Sequence, residues 1–146
     1  GKVGAVVARS ARRGEMFFWR CTVMSSLRIL MYCNDSRGSG QTARTLNIAT
    51  SLSRALDNCS ILVLTDLSTV GRFRLAERVD YVHLPVIENR PHQAGSLNIE
   101  HENKLRIRRK IAQSAIKTFS PDLVMLDESL LEHADEMQRI AGCVRD

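Results

Sequence analysis

The sequence lacks any long hydrophobic run. Its apolar stretches are only a few residues each, which is too short for a transmembrane helix. It also lacks low-complexity tracts and repeats at a fixed period, which excludes collagen-like and solenoid classes. With 146 residues, 44% of them hydrophobic and 25% charged, the chain has the length and composition of one ordinary globular domain.

Most of the chain also lacks net charge. The formal net charge is +5, but residues 1–26 carry five basic side chains and one acidic one, and the other 120 residues carry 16 basic and 15 acidic ones. Nucleic-acid binding normally requires a basic surface that neutralises phosphates. We therefore expect no nucleic-acid partner for the body of the protein.

Paired metal-binding or redox cysteine motifs are absent. The four cysteines show no CxxC spacing and the four histidines are scattered, so we expect no metal site. Cys33 and Cys59 lie in or beside apolar runs, where small buried thiols are common. Free thiols are typical of a reducing compartment, and the sequence therefore predicts a cytoplasmic location.

Residues 1–26 do not share the pattern of the rest of the chain. They are rich in arginine and poor in acidic residues, and their apolar cluster MFFW is too short for a signal peptide. We expect residues 1–26 to be a disordered leader and residues 27–146 to form the domain.

From Leu27 onward, continuous apolar runs alternate with apolar residues at helical spacing. Such runs predict strands buried on both faces of a parallel sheet, and the helical spacing predicts amphipathic helices. The predicted strands are residues 28–33, 60–65, 79–84 and 122–126, and the predicted helices are residues 43–56, residues 102–119 and a last one from about residue 130. This order predicts an α/β, Rossmann-like, doubly wound and mostly parallel sheet of about four strands.

The second predicted helix carries a basic cluster. Arg106, Arg108, Arg109 and Lys110 are expected on its outer side, with the apolar residues facing the sheet. Such a cluster is usually the solvated face of a helix. The alternative function is contact with an anionic membrane surface or with a lipid phosphate.

The loop between the first strand and the first helix is the predicted ligand site, because ligands of open α/β sheets bind outside the carboxyl ends of the strands. Residues 35–42 read DSRGSGQT, and Gly40 and Thr42 fit the phosphate-binding pattern G-x-x-x-x-G-K-[ST]. Asp35 and Gln41 occupy the positions of the first glycine and the lysine. Both changes oppose polyphosphate binding, although residues 123–128, LVMLDE, are similar to a Walker B strand.

The same loop partly fits the dinucleotide pattern G-x-G-x-x-G. Gly38 and Gly40 match, Ala43 is tolerated at the third position, and Asp66 lies near the expected position of a ribose-binding acid. Asp35 and Arg37 are uncharacteristic of that pattern, so a nicotinamide enzyme is also disfavoured.

A longer pattern covers residues 27–127. Residues 34–44, NDSRGSGQTAR, follow the pattern H-D-x-x-G-x-G-H-x-x-R, and the pieces GRF at 71–73, DYVHLP at 80–85 and FSPDLV at 119–124 follow in order. Together they resemble the N-terminal half of predicted glycosyltransferases of the GT-B fold, relatives of the enzyme that adds N-acetylglucosamine to the lipid-linked peptidoglycan precursor. The resemblance covers about 100 of the 146 residues.

This resemblance implies an acceptor-binding domain whose partner is a sugar acceptor, with or without a phosphate. The substrate-binding residues that it implies are Asn34, Asp35, Gly38, Ser39, Gly40, Gln41 and Arg44. It implies no cofactor on this half, because the nucleotide-sugar donor is expected on a C-terminal half, which a separate polypeptide can supply. Peripheral contact with a membrane is compatible with such an acceptor.

The chain departs from this pattern in two ways. Asn34 and Gln41 replace the two histidines, and an amide cannot exchange protons near pH 7, so no catalytic residue is assigned. After Asp127 the pattern fades and the donor half is missing, so we expect a truncated domain that is inactive alone. The alternatives are a non-catalytic nucleotide- or partner-binding Rossmann-like domain and a degenerate P-loop protein.

Overall fold

The computed structural model describes residues 26–34, 40–87 and 97–126, together with the backbone of residues 6–8. In these ranges a five-stranded sheet combines with two helices and one short 3-10 turn. The strands are β1 (Val6–Ala8), β2 (Leu27–Cys33), β3 (Cys59–Thr65), β4 (Val79–His83) and β5 (Leu123–Leu126); the helices are α1 (Gly40–Ala55) and α2 (His101–Phe119). No helix in this part of the chain has both the length and the apolar character to cross a membrane.

The strand order is β1-β5-β2-β3-β4. Strands β5, β2, β3 and β4 run parallel to one another, and β1 is antiparallel to β5. From β2 the chain adds β3 and β4 on one side and then returns to place β5 on the other side. This confirms the predicted Rossmann-like α/β class with a mostly parallel sheet.

The two helices cover opposite faces of the sheet. Alternate residues of β2 point to opposite sides, because side chains alternate along a strand. Ile29 and Met31 belong to the apolar cluster that includes Ala49 of α1. Leu30 belongs to the cluster that includes Ile116 of α2. Burial on both faces explains why the strands read as continuous apolar runs.

The predicted strand boundaries agree with the structure to within one residue. Helix α1 begins at Gly40, three residues before the predicted start, because its first turn is polar and adds nothing to the apolar spacing. Helix α2 ends as predicted before Pro121, with Ser120 in the left-handed conformation at φ 48°. The predicted last helix, from about residue 130, lies outside the described residues.

Strand β1 comes from the predicted leader. Val6, Val7 and Ala8 pair with Met125, Val124 and Leu123 of β5. Residues 6–8 therefore belong to the sheet, which the sequence pattern did not indicate, because three residues are too few to show a period. Of the other leader residues, the structure describes only Ser26, so their predicted disorder stays a prediction.

Candidate functional site

The carboxyl ends of the parallel strands form the edge of the sheet that Asn34 and the start of α1 share. Strand β2 ends at Cys33, paired with Thr65 at the end of β3, so Asn34 and Asp66 follow at neighbouring positions. Helix α1 begins at this same edge, because Thr42 in its first turn contacts Cys33 and Thr65 at the ends of β2 and β3. The strand order reverses between β2 and β5, and such a reversal is where ligands bind in open α/β sheets.

Arg108 of α2 is the centre of a buried polar network at this edge. Its Nε and NH2 groups donate to the hydroxyl of Tyr32 at 3.1 and 2.8 Å. Its NH1 group donates to Oδ2 of Asp66 and to the carbonyl oxygen of Pro85, both at 3.1 Å. Arg108 therefore connects α2 to residues at or just beyond the ends of β2, β3 and β4.

This network corrects one prediction and weakens one alternative. The placement of Arg108 on the outer side of α2 is wrong, since its side chain is fully buried, whereas Arg106 and Lys110 are exposed. Asp66 is also buried and forms an ion pair with Arg108. A carboxylate engaged in this way is poorly placed to bind a ribose hydroxyl, so the structure gives the dinucleotide alternative no support.

The buried stripe of α2 contains two cations. Its buried residues are Lys104, Arg108, Ala112 and Ile116, each four residues from the next. The two cations lie in the first half of the helix, near the carboxyl edge, and the two apolar residues lie further along. The sequence signal was the four-residue spacing from Ala112 and Ile116, which places Lys104 and Arg108 on the same face.

A second polar cluster fixes the first turn of α1. Thr42 is fully buried, with its Oγ1 atom 2.8 Å from Oγ1 of Thr65 and 3.6 Å from Sγ of Cys33. Oγ1 of Thr65 also accepts a hydrogen bond from the backbone N–H of Leu67 at 3.2 Å. The Thr42 hydroxyl holds α1 against the sheet. The threonine of a phosphate-binding loop faces a bound Mg²⁺ instead, so this geometry argues against the P-loop alternative.

The structure describes four of the seven predicted substrate-binding residues. Asn34 is buried, Gln41 is half-buried, and Gly40 and Arg44 are exposed at the start of α1. The other three, Asp35, Gly38 and Ser39, lie outside the described residues. The structure thus places Asn34 at the end of β2 and the remaining three in the first two turns of α1.

The start of α1 suits an anionic group. A Cβ atom added at Gly40 would meet no atom within 4 Å, so the backbone is open to a ligand there. The first turn holds no acidic residue, and Arg44 adds a positive charge one turn later. The N-terminal end of a helix carries a partial positive charge and N–H groups that lack helical partners, and both attract anions.

Two buried polar atoms at this edge lack a hydrogen-bond partner among the described residues. They are Oδ1 of Asn34, just beyond β2, and Nε2 of His83, at the end of β4. The two residues differ in burial: Asn34 is 5% exposed, whereas His83 is only half-buried. Buried polar groups are nearly always paired, so Asn34 in particular requires an explanation.

An open depression of about 650 Å³ runs along the outer side of α1. It begins at Gly40 and Arg44 and extends past Ile48 and Leu52 to Ala55, with mostly apolar walls. Its first residues are those of the predicted site, and the rest follow the helix away from the carboxyl edge.

Comparisons with known proteins give no relative for this chain. A scan against models of known protein families found no match, and searches for similar curated proteins and solved structures found none either.

Proposed function

We propose that residues 27–146 form the acceptor-side domain of a GT-B-type glycosyltransferase. The observation that carries this proposal is the position of Gly40 at the start of α1, next to the point where the strand order of a Rossmann-like sheet reverses. A second domain or polypeptide would bind the nucleotide-sugar donor. The chain would act in the cytoplasm, either free or in peripheral contact with a membrane.

The residues at the edge have binding roles in this proposal. Gly40 and the start of α1, together with Arg44, would hold a phosphate or carboxylate of the acceptor. The loop residue Asp35 would accept a hydrogen bond from one of its hydroxyl groups, and Asn34 and Gln41 would line the same site. No catalytic residue is assigned, so the proposal is tested by acceptor binding and not by turnover.

Two observations weigh on the alternatives. The buried Thr42 disfavours a P-loop nucleotidase, and the Asp66–Arg108 ion pair disfavours a dinucleotide enzyme. A non-catalytic nucleotide- or partner-binding domain stays the main competitor. The two differ in ligand, since an acceptor domain binds sugars or sugar phosphates without requiring a nucleotide.

NMR titration of the ¹⁵N-labelled chain tests the proposal. The probes are glucose 1-phosphate and N-acetylglucosamine 1-phosphate, compared with UDP-N-acetylglucosamine and with ATP and Mg²⁺. We expect the sugar phosphates to shift the amide signals of Gly40, Gln41 and Arg44. Arg44→Gln should weaken binding about 5- to 10-fold, since a charge-assisted hydrogen bond at an exposed site is lost.

Arg54→Gln is the matched control, because Arg54 is also exposed and lies near the other end of α1. An equal loss of affinity in both variants would contradict the proposed site. Stabilisation by ATP and Mg²⁺ that Thr42→Ala abolishes would contradict the proposal as a whole and favour the P-loop alternative.

A further inference from the structure

We propose that Oδ1 of Asn34 accepts a hydrogen bond from a neutral O–H or N–H group of the ligand, such as a sugar hydroxyl. This inference rests on the proposed function and specifies the chemistry of one part of the same site. The ligand would then have two distinct ends. Its anionic group would lie near Gly40 and Arg44, and an uncharged hydroxyl-bearing group would lie against Asn34.

Asn34 is buried although its side chain is polar. The residue is 5% exposed, and Oδ1 has no partner among the described residues. An unpaired buried acceptor destabilises the folded protein, because its hydrogen bonds with water are lost and not replaced. Asn34 lies directly after β2, at the edge where ligands bind in open α/β sheets, so a bound ligand can supply the missing hydrogen bond.

The charges around Asn34 favour a neutral donor. Its neighbour across the strand register is Asp66, whose Oδ2 atom lies 3.1 Å from NH1 of Arg108. These opposite charges compensate each other, and Arg108 also donates to Tyr32 and Pro85. Because the amide oxygen is an acceptor and the adjacent carboxylate is negative, a hydrogen-bond donor without negative charge fits this position and a phosphate does not.

The main test compares Asn34→Leu with the wild-type chain without ligand. Leucine has the branched shape of asparagine and no acceptor, but it is larger, so Asn34→Val is measured beside it. The melting temperature of the better-packed variant should rise by about 2–6 °C when the unpaired oxygen is removed. A lower melting temperature in both variants would overturn the inference, since it would mean that the Asn34 amide is already satisfied. Asn47→Leu, at an exposed asparagine of α1, should change the melting temperature little.

Binding of neutral sugars is measured with methyl glycosides of glucose, mannose, galactose and N-acetylglucosamine. Asn34→Leu should lose at least tenfold in affinity for whichever glycoside the wild-type chain binds, and Asn47→Leu should not. Asn34→Asp keeps an acceptor oxygen and should retain binding at a lower melting temperature, because its charge lies next to Asp66. Loss of glycoside binding in a folded Asn34→Asp variant would overturn the inference, even if the leucine variant does not fold.

The outcomes separate this inference from the proposed function. If sugar phosphates bind through Arg44 and glycosides bind Asn34→Leu as tightly as the wild-type chain, only the inference fails. If no glycoside and no sugar phosphate binds the wild-type chain, the proposed function fails and the inference fails with it.

Discussion

Arg108 donates two hydrogen bonds to the hydroxyl of Tyr32, 76 residues earlier in the sequence, at 3.1 and 2.8 Å. The guanidinium carbon also lies 5.6 Å from the centre of the tyrosine ring. Both side chains are buried, so a charged and a phenolic group replace apolar packing between α2 and the central strand β2.

Arg108→Met should lower the free energy of unfolding by about 3–5 kcal/mol, because it removes one member of the buried Asp66–Arg108 ion pair. Urea denaturation followed by circular dichroism measures the change. Arg106→Met on the exposed side of the same helix should change stability by less than about 0.5 kcal/mol. A loss below about 1 kcal/mol for Arg108→Met would contradict the structural role of the ion pair.

The double variant Arg108→Met, Asp66→Leu should recover much of that loss. Replacement of both members of a buried ion pair by apolar residues is often neutral, whereas removal of one member is costly. Equal stability of the single and double variants would show that the Asp66 carboxylate left without Arg108 is not the source of the loss.

Thr42→Val should lower the free energy of unfolding by about 1–2 kcal/mol. Valine keeps the shape of threonine, but the buried hydroxyl of Thr65 then loses its partner at 2.8 Å. Thr50→Val, at a half-buried position of the same helix, is the control and should change stability by less than about 0.5 kcal/mol. In a double-mutant cycle with Thr65→Val, the two changes should be non-additive.

Arg78 should be more costly to replace by alanine than by glycine. Its backbone is left-handed, with φ 64°, and its guanidinium group donates to the carbonyl oxygens of Asp57 and Ser53 at the end of α1. Both variants lose these hydrogen bonds, but only alanine retains the steric cost of the left-handed conformation. We expect glycine to be the more stable variant by about 1 kcal/mol in thermal unfolding. Equal stabilities would argue against backbone strain at this position.

Asp122 joins the starts of β5 and β2 through its side chain and not mainly through its charge. Its Oδ2 atom accepts a hydrogen bond from the backbone N–H of Arg28 at 2.9 Å, whereas the guanidinium Nε atom lies 4.0 Å away. Both side chains are about half exposed. Asp122→Asn should therefore be nearly neutral, and Asp122→Ala should cost about 0.5–1 kcal/mol in denaturant unfolding. A larger loss for asparagine than for alanine would contradict this interpretation.

The elements that the sequence predicted well are those with a local signal. Strands β2 and β3 are predictable from the sequence because both of their faces are buried, which makes their sequences continuously apolar. The end of α2 is predictable because Pro121 follows it closely. These signals depend only on a residue and its near neighbours along the chain.

The buried polar contacts of the candidate site could not be predicted in the same way. The sequence predicts Arg108 on the solvent side because an arginine is rarely buried, and its partners Tyr32 and Asp66 are 76 and 42 residues away. The contact between Thr42 and Thr65 likewise joins residues 23 positions apart. The start of α1 at the sheet edge was predictable from the order of the elements, but these buried polar contacts were not.

The position of β5 has a consequence for how the protein is made. Strand β2 pairs with β3 on one side and with β5 on the other, and β5 leaves the ribosome about 90 residues after β2. Until then the β5-facing edge of β2 presents unpaired backbone groups to other chains. Synthesis that stops before Leu123 would leave this edge open, and we expect such fragments to aggregate and to depend on chaperones.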